Sequence, residues 1–161
     1  MRKFSLLILA CAVLYFSNIS CVKTSVSPGC TGKTVQEDEP AILAYLASNN
    51  ITGYVKDPSG LYYKIEAQGS GPVPNISSKV YVTYTGKFTD KTVFDSLGDA
   101  SKSGWVLGTL IKSWQIGLPQ IQKGGKILLL VPSALGYGCQ SSGSVPSNAI
   151  LIFEVELVDV Q

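Results

Sequence analysis

Apolar residues run unbroken from Leu6 to Phe16, behind a basic end at Arg2 and Lys3 and ahead of the small polar stretch Ser17, Asn18, Ile19 and Ser20. That order predicts an export signal over residues 1–20. The run of 11 residues is shorter than the roughly 18 apolar residues a membrane span needs. Residues 21–36 are rich in Ser, Thr, Gly and Lys with no apolar period, which predicts a flexible tether. From Glu37, three acids precede Pro40, and Ile42, Leu43, Tyr45 and Leu46 follow at helical spacing up to Asn49 and Asn50. Acids near a positive N-terminus, proline in the first turn and asparagine at the end define a short helix. This helix and a linker occupy residues 37–59, with packing or spacing as the expected role.

Alternation takes over after the turn at Asp57, Pro58, Ser59 and Gly60. Leu61, Tyr63 and Ile65 alternate with Tyr62, Lys64 and Glu66, which predicts a strand with one buried face. From Lys79 to Phe88, Val80, Val82 and Tyr84 share one side and Tyr81, Thr83 and Thr85 the other. Leu110, Ile111, Trp114 and Leu118 recur at helical spacing until Pro119 ends the segment. Gly124 and Gly125 turn the chain into a mostly apolar strand over residues 126–131. Residues 149–160 close the sequence with Leu151, Phe153, Val155 and Leu157 on one face and Glu154 and Glu156 on the other. The sum is an α+β domain over residues 60–161, of about five mainly antiparallel strands around one short helix.

Composition narrows the chemistry. With 161 residues, 45% of them hydrophobic, the chain can bury a core without metal or disulfides. It contains no histidine, which excludes Ser-His-Asp triads, Cys-His pairs and most zinc sites. No acidic cluster has calcium-loop spacing and no glycine-rich phosphate loop occurs, so neither a metal nor a cofactor is expected. Setting Arg2 and Lys3 aside with the leader leaves 11 basic and 11 acidic residues, and with them no electrostatic case for nucleic acid.

The cysteines bear on location. Ile19, Ser20 and Cys21 resemble the end of a bacterial lipoprotein signal, in which the cysteine is acylated. The expected location is therefore the bacterial cell envelope, lipid-anchored with the outer membrane favoured and facing the periplasm or the surface, and an ordinary secretory signal with an incidental cysteine is the alternative. With Cys11 in the leader and Cys21 acylated, Cys30 and Cys139 remain and would pair as a disulfide in a compartment that permits one.

Residues 80–96 carry a more specific signal: Val80-Tyr81-Val82-Thr83-Tyr84-Thr85-Gly86, then Asp90, then Val93-Phe94-Asp95-Ser96. It continues through Leu107-Gly108, Leu110-Ile111, Trp114, Gly117-Leu118, Gly124, Lys126 and Pro132. Leu135-Gly136-Tyr137-Gly138, Val145-Pro146, Asn148-Ala149 and Phe153-Glu154-Val155-Glu156-Leu157 complete it. In this order and spacing the chain resembles the FKBP-type peptidyl-prolyl cis-trans isomerases over essentially the whole 60–161 domain.

The resemblance implies a twisted five- to six-stranded antiparallel sheet wrapped around one short helix, with an apolar, aromatic-lined cavity between them. It implies a catalytic set of Tyr84, Phe94, Asp95, Ile111, Trp114, Tyr137 and Phe153, with Trp105, Leu110 and Val145 contacting substrate. Trp114 would form the floor and Tyr84, Phe94 and Phe153 the walls. The Ile111 N–H and the Tyr137 O–H would each donate to a substrate carbonyl, and Asp95 would orient its neighbours. The implied activity is rotation about X-Pro bonds in exported proteins, with no cofactor. The implied partners are proline-containing polypeptides and macrolides such as tacrolimus. Two departures from the family pattern stand out: Ser103, where members often carry an aromatic, and the polar loop 138–144. A catalytically weak chaperone or proline-segment binding module is the alternative function. A third reading makes the N-terminal helix a dock for a partner or a second copy; otherwise a monomer is expected.

Overall fold

The structure, a computed structural model, describes residues 29–161. The export signal, Cys21 and the first part of the tether lie outside those residues. In chain order the elements are helix α1 (Val35–Ser48), strands β1 (Val55–Lys56), β2 (Tyr62–Ala67), β3 (Lys79–Lys87), β4 (Val93–Leu97) and β5 (Trp105–Val106), helix α2 (Lys112–Gly117), and strands β6 (Lys126–Val131) and β7 (Leu151–Val160). All strand pairings are antiparallel. The sheet runs β1, β2, β6, β7, β3, β4, and β5 shares the outer edge of β3 with β4. This is the expected architecture, with two-residue strands added at β1 and β5.

Each face of the sheet has its own core, and that explains the strands whose pattern is not a simple alternation. On the inner face, Val80, Val82, Ile127, Leu129, Phe153 and Val155 pack with Trp114 and Leu118 of the α2 region. Helix and sheet come close because position 117 is glycine: a Cβ there would lie 2.6 Å from Leu129 Cδ2. On the outer face, Ile42 and Leu46 of α1 pack on Tyr62, Leu128, Leu130 and Ile152. Strand β6 is apolar at consecutive positions because it lies under both helices. Tyr62 and Tyr63 are buried for the same reason. Ile65, expected on a buried face, is instead exposed: β1 pairs only with Tyr62 and Tyr63, so the end of β2 stands at an uncovered edge.

Helix α1 begins at Val35, two residues before the sequence pattern places it. Thr34 caps it, accepting from the Glu37 N–H while the Glu37 carboxylate accepts from the Thr34 N–H at 2.7 Å. This reciprocal box satisfies two N–H groups that a helix start leaves open, and these bonds hold the Glu37 carboxyl below its usual range. Pro40 therefore sits in the second turn rather than the first.

The three acids of this helix have three different roles. Glu39 pairs with Lys56 on β1 and accepts from the Tyr62 hydroxyl. Asp38 is buried, and its Oδ2 accepts from both the N–H (2.8 Å) and the hydroxyl (2.6 Å) of Ser133, while Lys33 Nζ lies 3.7 Å from its Oδ1. Replacing Asp38 with alanine leaves two buried donors of Ser133 without an acceptor, an expected loss of about 3 kcal/mol. Urea unfolding measures it, and a loss below about 0.5 kcal/mol contradicts the assigned bonds.

The last part of the expected tether is tied down. Cys30 is disulfide-bonded to Cys139. The Lys33 N–H donates to Asn148 Oδ1 and Asn148 Nδ2 donates to the Thr31 carbonyl, both at 3.1 Å. Residues 29–34 thus lie as a strap across the loop that follows β6.

Candidate active site

A cavity of about 340 Å³ opens between α2 and the inner face of the sheet, lined by Tyr84, Asp95, Trp105, Thr109, Leu110, Ile111, Trp114, Tyr137 and Phe153. Strand alternation delivers the walls. Tyr84 shares a face of β3 with Val82 and Val80, and Phe153 on β7 pairs with Gly86. Trp114, almost fully buried, is the floor, with Tyr84 and Phe153 standing edge-on to its ring at centroid distances of 5.2 and 5.4 Å. Trp105 meets Tyr84 edge-on at 6.3 Å. Perpendicular aromatic pairs set positive ring edges against negative faces and so fix the geometry of the walls.

Asp95 enters the cavity through a bulge. Gly86 pairs with Asp95 and Lys87 with Val93, which leaves Phe94 as the extra residue. A bulge re-aims side chains, and here consecutive residues Phe94 and Asp95 both turn inward. Tyr84 Oη donates to Asp95 Oδ2 at 2.5 Å, and the other carboxylate oxygen accepts from the Ser96 N–H.

Burial, then the hydrogen bond to Asp95 and its charge, pushes the Tyr84 phenol far above its ordinary value. Burial, then the charge of Asp95, raises Tyr137. Both remain protonated donors at neutral pH. A folded-state value above the unfolded one gives stability that is present below pH 10.0, the ordinary phenol value, and is lost as pH rises beyond it. The urea midpoint is therefore expected to fall above pH 10; a midpoint that rises there contradicts the assignment.

The turn before α2 is also pinned. Gln115 Nε2 donates to the carbonyls of Leu110 at 2.6 Å and Gly108 at 3.1 Å. The N–H of Ile111, the cap residue of α2, donates to no acceptor among the described residues. The Tyr137 hydroxyl likewise has no partner among them. Two free donors thus flank an apolar, aromatic floor. Such a site can hold an extended peptide by its carbonyls while a ring or aliphatic group sits on the indole.

Eight of the ten residues expected to act on substrate line this cavity: Tyr84, Asp95, Trp105, Leu110, Ile111, Trp114, Tyr137 and Phe153. Phe94 does not. Its ring stands behind Phe153 at 5.5 Å and beside Phe88 at 4.9 Å, over Gly86, where a Cβ would come within 2.6 Å of its Cζ. It is a support for the wall, placed there by the bulge. Val145 is also off the lining: it is buried in the core and bridged to Ser142. Thr109 was not singled out by the sequence, although its place just before Leu110 in the turn to α2 was the available signal. Ser103 accepts from the Val82 N–H and donates to the Ala100 carbonyl, a loop-closing role in place of an aromatic rim. A larger concavity of about 700 Å³ lies elsewhere on the sheet. It is lined mainly by polar and charged residues, among them Thr83, Thr85, Ser96 and the ion-paired Glu154, Lys126 and Glu156, and Tyr84 is the one aromatic residue it shares with the smaller cavity.

A sheet wrapped across one short helix around an aromatic cavity matches the architecture implied by the sequence, and residues 71–158 match the sequence profile of the FKBP-type peptidyl-prolyl cis-trans isomerases. The chain belongs to that family. FkpA of Aeromonas hydrophila, an FKBP-type peptidyl-prolyl cis-trans isomerase, is 40% identical over 119 residues, which are 73% of this chain and 44% of that protein. A probable FKBP-type peptidyl-prolyl cis-trans isomerase of Haemophilus influenzae is 44% identical over 104 residues, 63% of this chain and 43% of the relative. The crystal structure of FkpA from Escherichia coli superposes with a TM-score of 0.67 at 32% identity, covering 79% of this chain and 61% of that one. This chain spans less than half the length of the two curated relatives.

Proposed function

We propose that this chain is a peptidyl-prolyl cis-trans isomerase that rotates X-Pro bonds in the aromatic cavity. The observation that carries the reading is the pairing of an apolar floor, Trp114, with two unpartnered donors, the Ile111 N–H and the Tyr137 O–H. Rotation about the bond faces a barrier of about 18–20 kcal/mol because resonance makes it partly double. The twisted amide has lost that resonance and much of its polarity. A dry aromatic site therefore favours it over the planar, strongly hydrated ground state, which is catalysis by differential binding. The proline ring rests on Trp114 between Tyr84 and Phe153. The two donors hold carbonyls on either side, and Asp95 fixes Tyr84 through its hydrogen bond. The same cavity is the seat for a macrolide such as tacrolimus.

The substrates are exported polypeptides, and the chain works at the bacterial envelope, anchored by lipid on Cys21 in the outer membrane. The basic, apolar and small-polar order of residues 1–21 supports this location. So does the bridge between Cys30 and Cys139, since disulfides persist in oxidising compartments outside the cytosol. Refolding of a secreted protein limited by proline isomerisation separates turnover from binding. Acceleration that grows with enzyme concentration supports the isomerase. Binding of the unfolded chain without acceleration supports the proline-segment binding module instead.

A further inference from the structure

Tyr137 has little of its own to hold it. The residue is 36% exposed, its hydroxyl has no partner among the described residues, and it stands between Gly136 and Gly138, the latter at φ 61°. Donation to a substrate carbonyl nevertheless needs a fixed oxygen, because misplacement by a fraction of an ångström removes the benefit of orientation.

Three ties hold the chain around this tyrosine, and each ends in the N-terminal segment. Upstream, the Ser133 carbonyl accepts from the N–H of Gly136 (3.0 Å) and of Gly138 (2.8 Å), and Ser133 itself hangs on Asp38. Downstream, the Asn148 N–H donates to the Gly138 carbonyl at 2.7 Å. The Asn148 side-chain amide in turn joins Thr31 and Lys33 of the strap. Between these two ties, Cys139, two residues after Tyr137, is bonded to Cys30. Asn148 has φ 57°, a left-handed conformation that asparagine tolerates better than most residues. Its amide both donates and accepts, so one side chain closes both strap bonds.

We propose that Asn148 is a positioning residue for catalysis, and that with the bridge between Cys30 and Cys139 it fastens residues 29–34 across residues 132–148 and so fixes Tyr137 Oη at the cavity. The proposal rests on the isomerase reading of that cavity. The strap acts on the reaction only through Tyr137, and that property separates it from a general stabiliser.

The test is a double-mutant cycle in the full, oxidised chain, read as kcat and KM on an X-Pro peptide, with amide exchange of residues 136–140 measured beside it. Tyr137→Phe in the parent is expected to lower kcat/KM about tenfold, the worth of one hydrogen bond made in the transition state. Asn148→Gly keeps the backbone conformation and deletes both strap bonds. It is expected to lower kcat about three- to tenfold with KM nearly unchanged, and to speed exchange at residues 136–140. Asn148→Asp, which keeps the acceptor for Lys33, recovers part of the loss. Adding Tyr137→Phe to Asn148→Gly is expected to bring the total loss only to about the tenfold of Tyr137→Phe alone, a further cost of about threefold at most, because the hydroxyl is already displaced. Costs that multiply in full, or unchanged exchange at residues 136–140, overturn the proposal. Cys30→Ser repeats the cycle at the second tie, and if it fails to fold the Asn148 cycle decides alone. A folded parent with no activity overturns the isomerase reading and this proposal with it, and that result shows before any substitution is made.

Discussion

Trp114→Ala lowers kcat/KM on an X-Pro peptide by about a hundredfold or more and lowers folding stability by about 3–5 kcal/mol. Trp114 is 4% exposed at the base of the cavity, so truncation removes the surface on which a proline ring rests and opens a void in the inner core. The void is poorly refilled, because Tyr84 and Phe153 are each held edge-on against the indole and lose that partner together. Trp114→Phe, which keeps a ring on the floor, is expected to recover most of the stability and part of the activity. Urea unfolding and a peptide assay on the same preparations separate the two effects. Activity unchanged in a folded Trp114→Ala protein means that the floor takes no part in the reaction.

Opening the bridge between Cys30 and Cys139 lowers the unfolding free energy by up to about 4–5 kcal/mol, the chain-entropy value for a closed loop of this size. The bridged residues are 109 apart in sequence, so every element from α1 to β6 lies inside the closure and β7 alone lies outside it. Reduction frees the strap at one end, after which its remaining bonds to Asn148 have to hold it without the covalent restraint. Unfolding by urea with and without reductant measures the difference. Cys139→Ser, insensitive to reductant, is expected to match the reduced parent. Equal midpoints for oxidised and reduced protein mean that the closure gives no net stability.

Much of the fold was legible because local period and burial agreed. The alternation over residues 79–88 is β3, and the apolar run at 126–131 is β6, one of whose faces is buried under each helix. Trp114 and Leu118, at helical spacing, do face the sheet. What escaped depends on partners remote in sequence. Asp38 reads as a helix-start acid beside Glu37 and Glu39, and nothing local shows that its carboxylate meets Ser133, 95 residues away. Pro40 points to a start at Glu37, whereas the capping box of Thr34 and Glu37 sets it earlier; the Thr-x-x-Glu spacing was the signal for it. Ile65 fits the alternation of β2, but its exposure follows from how far β1 extends.

The candidate site divides in the same way. Side chains on regular strands and on α2 reach the cavity where their period puts them. Phe94 stands behind Phe153 because a bulge breaks the period at that residue, and a bulge is a property of two strands in register rather than of one. Val145 belongs to a loop closed by its own bridge to Ser142, and its inward turn comes from that closure. The bridge between Cys30 and Cys139 was within reach of cysteine arithmetic. Its meaning, a strap over the Tyr137 loop, needed Asn148 and Asp38 beside it.

The most direct test of the central claim is protease-coupled isomerisation of a panel of X-Pro tetrapeptides by the chain from Gly29 onward, beside Trp114→Ala and with tacrolimus as competitor. The account predicts acceleration proportional to protein, suppressed by the macrolide and nearly abolished in the variant. A chain shown to be folded that accelerates none of the peptides contradicts it, and leaves the cavity as a holder of proline segments without turnover.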